Sequence, residues 1–308
     1  MKKEVIELAK QHGDRVQFIN VKYLKELKEE LKEFTESEEL NDFQRWIIND
    51  LYSLDIPKLS FEPKSILILA LRHPMYANVI IEHEERQYKT RTLVHSDSEG
   101  GRKYIQDALE SGGYHLEEQQ GLPLKRLAVQ SGLAEYGRNN ITYIKGLGSN
   151  FSYLGFITDV PSEEDIWLPM RTAKRCESCK ACLNVCPTNA IRKDRFLIDN
   201  SICLSCINEN PGEFPDWLSE EVHHTLYDCL RCQEYCPMNR ETELEQREKE
   251  VETIIIPEKF TRMLLEGKKK DEFPMEFVKL GDHIGLFDWP DGIPRNIKAI
   301  MREENVCI

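Results

Sequence analysis

The sequence predicts a mixed α/β domain, then a small cysteine-rich module, then a short helical segment at the C-terminal end. Three observations lead to this prediction. Six consecutive apolar residues from Ile66 to Leu71 fit a buried strand better than so short a helix. Nine of the ten cysteines lie between Cys176 and Cys236. After these cysteines, PEKFTRMLLEG and IPRNIKAIMREE have apolar residues at helical spacing.

The individual elements of the α/β domain follow from local patterns. MKKEVIELAKQHGDRV predicts an amphipathic helix, and the apolar residues from Val16 to Leu51 also have helical spacing. GGRKYIQDALESGGY predicts a helix that ends at Gly112 and Gly113, and PLKRLAVQSGL predicts one with Pro123 in its first turn. NNITYIKGLGSNFSYLGFITDV predicts two strands joined by a glycine-rich turn.

The polar, proline-containing stretch PSEEDIWLPMRTAKRC predicts a connector between the first two parts. We therefore expect an α/β domain over 1–165, a cysteine module over 166–245 and a helical segment over 246–308. No leader peptide and no apolar stretch of about 18 residues is recognisable, which favours a cytoplasmic protein without membrane contact. Thiols stay reduced in the cytoplasm, so clustered cysteines there are metal ligands more often than disulfides.

Charge limits the partners of this chain. The 308 residues include 54 acidic and 41 basic ones, which gives a net charge of -13. A surface of this sign repels a phosphate backbone, so extended nonspecific binding of nucleic acid is disfavoured. A local basic patch, such as KGLGSN with Arg138 or the run Lys268–Lys270, could still hold one structured RNA.

Two cysteine runs predict two 4Fe-4S clusters. CESCKACLNVCP has the C-x2-C-x2-C-x3-C-P spacing of the bacterial ferredoxins, in which the fourth cysteine binds the other cluster. CLRCQEYCP is a second run that lacks one ligand, and either Cys203 or Cys206 must supply it. If one cysteine of each run binds the cluster of the other run, as in the ferredoxins, each cluster has four thiolate ligands. Cys203 then supplies the ligand that the second cluster lacks. The first set is Cys176, Cys179, Cys182 and Cys236, and the second is Cys186, Cys203, Cys229 and Cys232.

Structural zinc is the alternative reading of the cysteines, because C-x2-C pairs also build zinc sites. A four-cysteine run and a Cys-Pro ending that occurs twice favour iron–sulfur clusters instead. Two clusters alone would make an electron carrier. About 175 residues precede the module, and this excess predicts a second redox centre or a substrate site.

The segments LAVQSGLAEYGRNNITYI, LGSNFSYLGFITD and CESCKACLNVCPTNAI resemble the epoxyqueuosine reductases, iron–sulfur enzymes related to reductive dehalogenases. The resemblance implies a cobalamin-binding type of α/β domain and a base-off cobalamin between it and the cluster module. It also implies that the clusters pass single electrons from an external donor, such as a ferredoxin or flavodoxin, to the corrin. The implied substrate is an epoxide in the queuosine base of a tRNA, which is reduced to an alkene.

The same resemblance places a catalytic proton donor at Glu118, where the family usually has Asp. Glu117 is the competing position, since Gly121 and Pro123 could shift the register by one. A carboxyl group buried beside an apolar corrin would have a raised pKa and could donate a proton near neutral pH.

The family positions that shape the corrin pocket match six residues of this chain. They are Gly132, Gly137, Arg138, Asn139, Gly148 and Ser149. Ordinary helix capping and turn formation explain the glycines equally well.

Two departures from the family pattern keep other functions open. Ala134, Glu135 and Tyr136 replace a Gly-Trp-Ile stretch, and the C-terminal part is shorter than the helical-repeat tail of many members. The alternatives are a reductive dehalogenase-like or other small-molecule corrinoid reductase, and an accessory electron-transfer protein of the ferredoxin type.

Overall fold

The computed structural model describes residues 1–37, 40–162, 166–240, 251–302 and 305–306. Its strands are β1 (Arg15–Asn20), β2 (Ser65–Arg72), β3 (Ala77–His83), β4 (Arg86–Thr92), β5 (Leu116–Glu118), β6 (Glu135–Tyr136), β7 (Thr142–Tyr143), β8 (Phe151–Thr158) and β9 (Thr253–Ile256). Its α-helices are α1 (Lys2–Gln11), α2 (Tyr23–Ser37), α3 (Asp42–Trp46), α4 (Ser98–Ser111), α5 (Leu124–Gln130), α6 (Ala181–Val185), α7 (Leu204–Glu209), α8 (Arg231–Glu234), α9 (Pro237–Arg240), α10 (Glu258–Leu265), α11 (Met275–His283) and α12 (Ile293–Ile300). A π-helical turn, Ile47–Leu51, follows α3, and 3-10 turns span Lys174–Cys176, Glu220–Val222 and Lys270–Glu272.

The chain divides into two compact units that alternate along the sequence. The first unit contains residues 1–72, 97–135 and 151–171, and the second contains 73–96, 136–150 and 172–308. The predicted part boundaries after residues 165 and 245 lie outside the described residues. The division into three parts therefore stays a prediction.

A four-stranded antiparallel sheet in the order β1-β2-β8-β5 forms the centre of the first unit. The apolar run from Ile66 lies on β2, where seven of the eight residues are buried, so the strand predicted there is confirmed. Neighbouring residues of a strand face opposite sides of a sheet. A strand that is buried along its length must therefore be covered on both faces.

Helices α1 and α4 cover one face of this sheet with Val5, Ala9, Ile105 and Leu109, which pack against Leu67 and other apolar residues of β1, β2 and β8. Helix α5 contacts β2 and β8. Gly155 of β8 permits this approach, because a Cβ atom there would lie 2.6 Å from Cδ2 of Leu124. These three helices were expected from the sequence.

One sequence-based expectation needs correction in this region. Helical spacing from Val16 predicted a helix, but residues 15–20 form β1, and α2 begins only at Tyr23. The reason is the alternation in RVQFIN, in which Val16 and Phe18 are buried on one face of the strand. The two strands predicted around the glycine-rich turn both exist, yet β7 pairs with β6 while β8 joins the larger sheet.

The second unit contains a three-stranded sheet in the order β4-β3-β9. Strands β3 and β4 form an antiparallel hairpin, whose turn residues Glu84 and Glu85 have φ angles of 49° and 61°. Strand β9 runs parallel to β3, with Ile254 opposite Val79. The long parallel connection between β3 and β9 includes the whole cysteine module.

Apolar residues of the C-terminal helices pack against this sheet and form a core with it. Val79 and Ile81 of β3 lie in one cluster with Phe277 of α11 and with Ile293 and Ile297 of α12. The two C-terminal helices predicted from periodicity are confirmed as α10 and α12. Among the described residues no helix is long and apolar enough to cross a membrane.

Substitutions in β9 test this packing. Ile256 is fully buried, whereas its neighbour Ile255 is 49% exposed. We expect Ile256→Ala to lower the free energy of unfolding by about 2–5 kcal/mol, because the lost side chain leaves a cavity. Ile255→Ala, the matched control, should cost less than about 1 kcal/mol. Urea titration of both variants measures the difference, and equal losses would contradict the register of β9.

Candidate functional site

Short helical segments of the second unit carry the thiols of the two cysteine runs. In the first run, Cys176 ends a 3-10 turn, Cys182 lies in the first turn of α6, and Cys186 follows its last residue. In the second run, Cys232 lies in α8 and Cys236 follows shortly after that helix. Cys186 and Cys236 each lie just beyond the end of a short helix, whereas Cys182 and Cys232 lie within one.

One group of thiols combines both runs. Burial, and then the neighbouring thiols of Cys176, Cys236 and Cys179, raise the pKa of the Cys182 thiol to about 11. Burial also raises the pKa of Cys176, to which Cys236 and Cys179 again contribute. These four thiols are therefore close enough to influence one another, and their role as ligands of the first cluster stays a prediction.

A second group lies beside the first. Burial, with contributions from the thiols of Cys203 and Cys186, raises the pKa of the Cys229 thiol to about 12. Burial likewise raises the pKa of Cys232, with contributions from Cys229, Cys203 and Cys182. The last contribution comes from the first group, so the two groups are neighbours.

Cys206 lies beside the second group. Burial and then Glu209 raise the pKa of its thiol, and Asn210 Nδ2 donates a hydrogen bond to its Sγ at 3.3 Å. The pKa of Cys203, in contrast, is raised by burial and in part by the thiol of Cys186. Within the described ranges, no three histidine, cysteine or carboxylate side chains converge in a way that suits a single metal ion.

Tyr143 and Asn139 support the thiols from β7 and the turn before it. Tyr143 is buried against Ala173, Cys176, Cys236 and Met238. Asn139 Nδ2 donates a hydrogen bond to the Tyr143 hydroxyl at 2.9 Å. Burial, and then Cys236, raise the pKa of Tyr143, so its hydroxyl stays protonated. Sequence reasoning missed Tyr143, because a tyrosine among apolar strand residues has the pattern of any core residue.

The six predicted corrin positions are split between the units. Gly132 belongs to the first unit and has a φ of 77°, which suits the residue after the end of α5. The other five belong to the second unit. At Gly137 a Cβ atom would lie 2.5 Å from Asn139 Oδ1 and 2.7 Å from Tyr143 Cε2, so a glycine is required for this close approach. Gly148, with a φ of 64°, pairs with Ile144 across a tight turn.

Arg138 and Ser149 hold the thiol-bearing loops. The Arg138 guanidinium donates a hydrogen bond to the carbonyl oxygen of Cys176. Ser149 Oγ donates to Gln233 Oε1 at 2.8 Å and accepts from Asn239 Nδ2 at 2.9 Å. These contacts brace the loops around both cysteine runs. A role of these residues toward a corrin stays a prediction.

Glu118 lies on β5, at the edge of the first unit's sheet, and its side chain is 23% exposed. Arg102 of α4 donates two hydrogen bonds to it, at 2.6 Å and 3.0 Å, and Gln120 donates a third at 3.0 Å. Hydrogen bonds from Arg102 lower the pKa of Glu118 and outweigh the effect of burial. The pKa of Glu118 is thus lowered rather than raised in this structure, because a guanidinium stabilises the carboxylate. Glu117 is exposed.

A cavity of about 340 Å³ opens beside the first thiol group in the second unit. Arg138, Lys193 and Arg195 lie on its wall together with Cys176 and Phe196. Phe196 also contacts Tyr136 edge-on, with the ring centroids 5.1 Å apart. The cavity thus joins cationic side chains to one of the predicted cluster ligands.

Residues 175–239 match a protein family described as a 4Fe-4S double cluster binding domain. This match agrees with the two clusters predicted from the cysteine spacing.

Curated relatives extend the similarity beyond these residues. An epoxyqueuosine reductase of Aliivibrio fischeri is 33% identical over 147 residues, which are 46% of this chain and 38% of the relative. One of Bacillus subtilis is 26% identical over 258 residues, which are 78% of this chain and 64% of the relative. The chain thus matches less than two thirds of the length of these relatives.

Solved structures share the fold. An epoxyqueuosine reductase in complex with an epoxyqueuosine-modified tRNA-Tyr stem loop superimposes with a TM-score of 0.66 at 20% identity, over 97% of this chain and 80% of the other. The enzyme of Streptococcus thermophilus gives 0.62 at 20% identity, over 98% and 80%. The resemblance and the fold class predicted from the sequence are confirmed.

A double-mutant cycle between Arg102 and Glu118 tests the ion pair. We expect a coupling of about 0.2–1 kcal/mol in the free energy of unfolding for Arg102→Gln and Glu118→Gln, since the pair is partly exposed. The folded-state pKa of Glu118 is lowered, so this stability is present above the unfolded-state pKa of about 4.3 and is lost only at lower pH. The coupling should therefore be the same at pH 7 and pH 5.

Glu117→Gln combined with Arg102→Gln is the control for this cycle and should show no coupling. A coupling with Glu118 that disappears between pH 7 and pH 5 would instead mean a raised pKa.

Proposed function

Because this chain is homologous to the epoxyqueuosine reductases, we propose that it is an iron–sulfur oxidoreductase that reduces epoxyqueuosine in tRNA to queuosine. The observation that carries the proposal is the grouping of eight thiols into two sets of four, each drawn from both cysteine runs. Soft thiolate ligands in sets of four are the chemistry that 4Fe-4S clusters require.

The proposed ligands follow these two sets. The first cluster would be held by Cys176, Cys179, Cys182 and Cys236, and the second by Cys186, Cys203, Cys229 and Cys232. Cys203 is favoured over Cys206, because, besides burial, the Cys203 thiol contributes to the raised pKa of both Cys229 and Cys232. Hydrogen bonds and burial tune the reduction potential of such clusters.

The overall reaction fixes what the chain must supply. Reduction of an epoxide to an alkene consumes two electrons and two protons and releases one water molecule. Two neighbouring clusters suit the delivery of two electrons one at a time. Cobalamin, the second proposed cofactor, supplies when bound a cobalt centre that takes up single electrons and reacts with an epoxide. Gly132, Gly137, Arg138, Asn139, Gly148 and Ser149 are the residues proposed to line its pocket.

Glu118 is the proposed source of a proton, and the pair with Arg102 sets a condition on this role. Arg102 keeps the carboxyl group ionised at neutral pH. Proton donation therefore requires the Arg102–Glu118 pair to open when substrate binds. Movement of Arg102 away from Glu118 would let burial raise the pKa of the carboxyl group.

Transfer RNA is the proposed macromolecular partner, since a structural relative is bound to a tRNA stem loop. The net charge of -13 restricts such binding to a local contact. Ala134, Glu135 and Tyr136, which replace Gly-Trp-Ile, favour a small-molecule corrinoid reductase as the second candidate. An exposed acidic side chain at Glu135 would repel a phosphate backbone.

A matched pair of cysteine variants tests the cluster ligands. After anaerobic reconstitution with iron and sulfide, we expect the wild-type chain to bind about eight irons. Cys203→Ala should lose about half of them, because its cluster has only three thiolates left. Cys206→Ala should keep all of them. Iron analysis and the visible spectrum give the count, and the opposite result would make Cys206 the ligand.

Corrin binding and turnover test the proposed reaction. We expect reconstituted protein to bind one cobalamin with a base-off spectrum, and to convert an epoxyqueuosine-containing tRNA to the queuosine form. Glu118→Gln should lower the rate of turnover about 10²- to 10⁴-fold, as is usual for a lost general acid, with corrin binding unchanged. Glu117→Gln is the control and should stay within about threefold of the wild type.

Corrin binding without turnover of tRNA would favour the small-molecule reductase. Eight irons without corrin binding would leave an electron-transfer protein.

A further inference from the structure

A basic surface, formed by residues 172–196, includes three thiols of the first group. Residues 172–196 contain six basic side chains and two acidic ones, a local charge of +4 in a chain of net charge -13. The basic residues are Lys174, Arg175, Lys180, Arg192, Lys193 and Arg195.

Three lysines of this surface are exposed and available to a partner. Lys174 lies two residues before Cys176, and Lys180 directly follows Cys179. Within the part of the chain that the structure describes, Lys174, Lys180 and Lys193 form no ion pair. The neighbouring Arg192, in contrast, is paired with Asp194 at 2.8 Å.

The cavity of about 340 Å³ gives this surface a recess. Arg138, Lys193 and Arg195 lie on its wall with Cys176, and so do the acidic residues Glu177 and Asp194. An acidic side chain that entered this recess would meet three cationic and two anionic groups, a net positive charge, next to a cluster ligand. Charged hydrogen bonds of this kind fix the orientation of a docked protein.

We propose that the basic surface docks an acidic one-electron carrier protein, which reduces the cluster held by Cys176, Cys179, Cys182 and Cys236. The inference rests on the proposed function, because it needs clusters that accept electrons. In each encounter one electron leaves the reduced carrier and enters the cluster. The carrier is oxidised by one electron, the cluster is reduced by one, and no covalent bond changes. Two encounters supply the two electrons of one turnover.

Charge complementarity favours a protein carrier over a nucleic acid at this surface. Lys174 and Lys180 lie within two residues of cluster ligands, and Lys193 lines the cavity beside Cys176, so a docked carrier would bring its redox centre close to the iron. The net negative charge of the chain repels an acidic carrier from its acidic surfaces, which favours an approach at this basic surface. A phosphate backbone needs a longer positive track than three lysines beside one cavity.

The test compares two triple variants of the reconstituted holoprotein. Lys174→Glu, Lys180→Glu and Lys193→Glu together reverse the charge of the basic surface. Lys89→Glu, Lys279→Glu and Lys298→Glu make the same change in net charge at exposed positions of the same unit. Reduced plant-type 2Fe-2S ferredoxin is the acidic carrier, and reduced methyl viologen is the small donor. Anaerobic stopped-flow bleaching of the clusters gives the second-order rate constant for each donor.

We expect the first variant to lose at least about tenfold in the rate constant with ferredoxin at low salt, and to lose most of its salt dependence. Reduction by methyl viologen should stay within about threefold of the wild type. The second variant should stay within about threefold with both donors. Lys→Arg at positions 174, 180 and 193 should keep the wild-type rate, and iron content and visible spectrum verify that each variant is folded.

Equal ferredoxin rates for the wild type and the first variant would overturn the docking proposal and leave the proposed function intact. Loss of binding to an epoxyqueuosine tRNA stem loop, with the ferredoxin rate unchanged, would identify a nucleic-acid surface instead. Clusters in the wild type that neither donor bleaches would overturn the proposed function as well.

Discussion

Cys186 and Cys236 each lie beside thiols that come from the other cysteine run, and the second unit depends on this exchange. Neither group of four is complete until both runs are in place. The helices that carry or flank these cysteines, α6 to α9, have only four to six residues each. Helices of this length are unstable on their own, because their few hydrogen bonds do not compensate the entropic cost of helix nucleation. In the proposed holoprotein, binding of iron by thiolates and folding of this region are therefore one event.

The buried thiols also determine how the clusters are assembled. Burial raises the pKa of Cys182 to about 11 and that of Cys229 to about 12, so both are protonated near neutral pH without metal. Iron must displace these protons, and cluster formation is favoured as the pH rises. Once formed, clusters with four thiolates carry negative charge. Arg138, which donates to the carbonyl of Cys176, places a compensating cation beside the first group.

Local patterns predicted those parts of the molecule whose partners are close in sequence. The cysteine runs are of this kind, because successive thiols within a run are separated by only two or three residues. Glu118 is different, since Arg102 is 16 residues away and no spacing rule indicates their pairing. Strand β1 was mistaken for helix, because its alternation extends over only six residues next to a true helical pattern. Strands β3 and β9 pair across a long connection that no local pattern records.

The interleaving of the two units has a consequence for synthesis on the ribosome. Residues 73–96 of the second unit emerge before the first unit is finished at Arg171, and the partner strand β9 follows much later. During this interval the β3–β4 hairpin has no neighbour on one side, and an unpaired strand edge of this kind promotes association between chains. The growing chain must keep this hairpin protected until the cysteine module and the C-terminal helices have been made. Neither unit is a continuous stretch of sequence, so neither could be exchanged between proteins by a single crossover at one boundary.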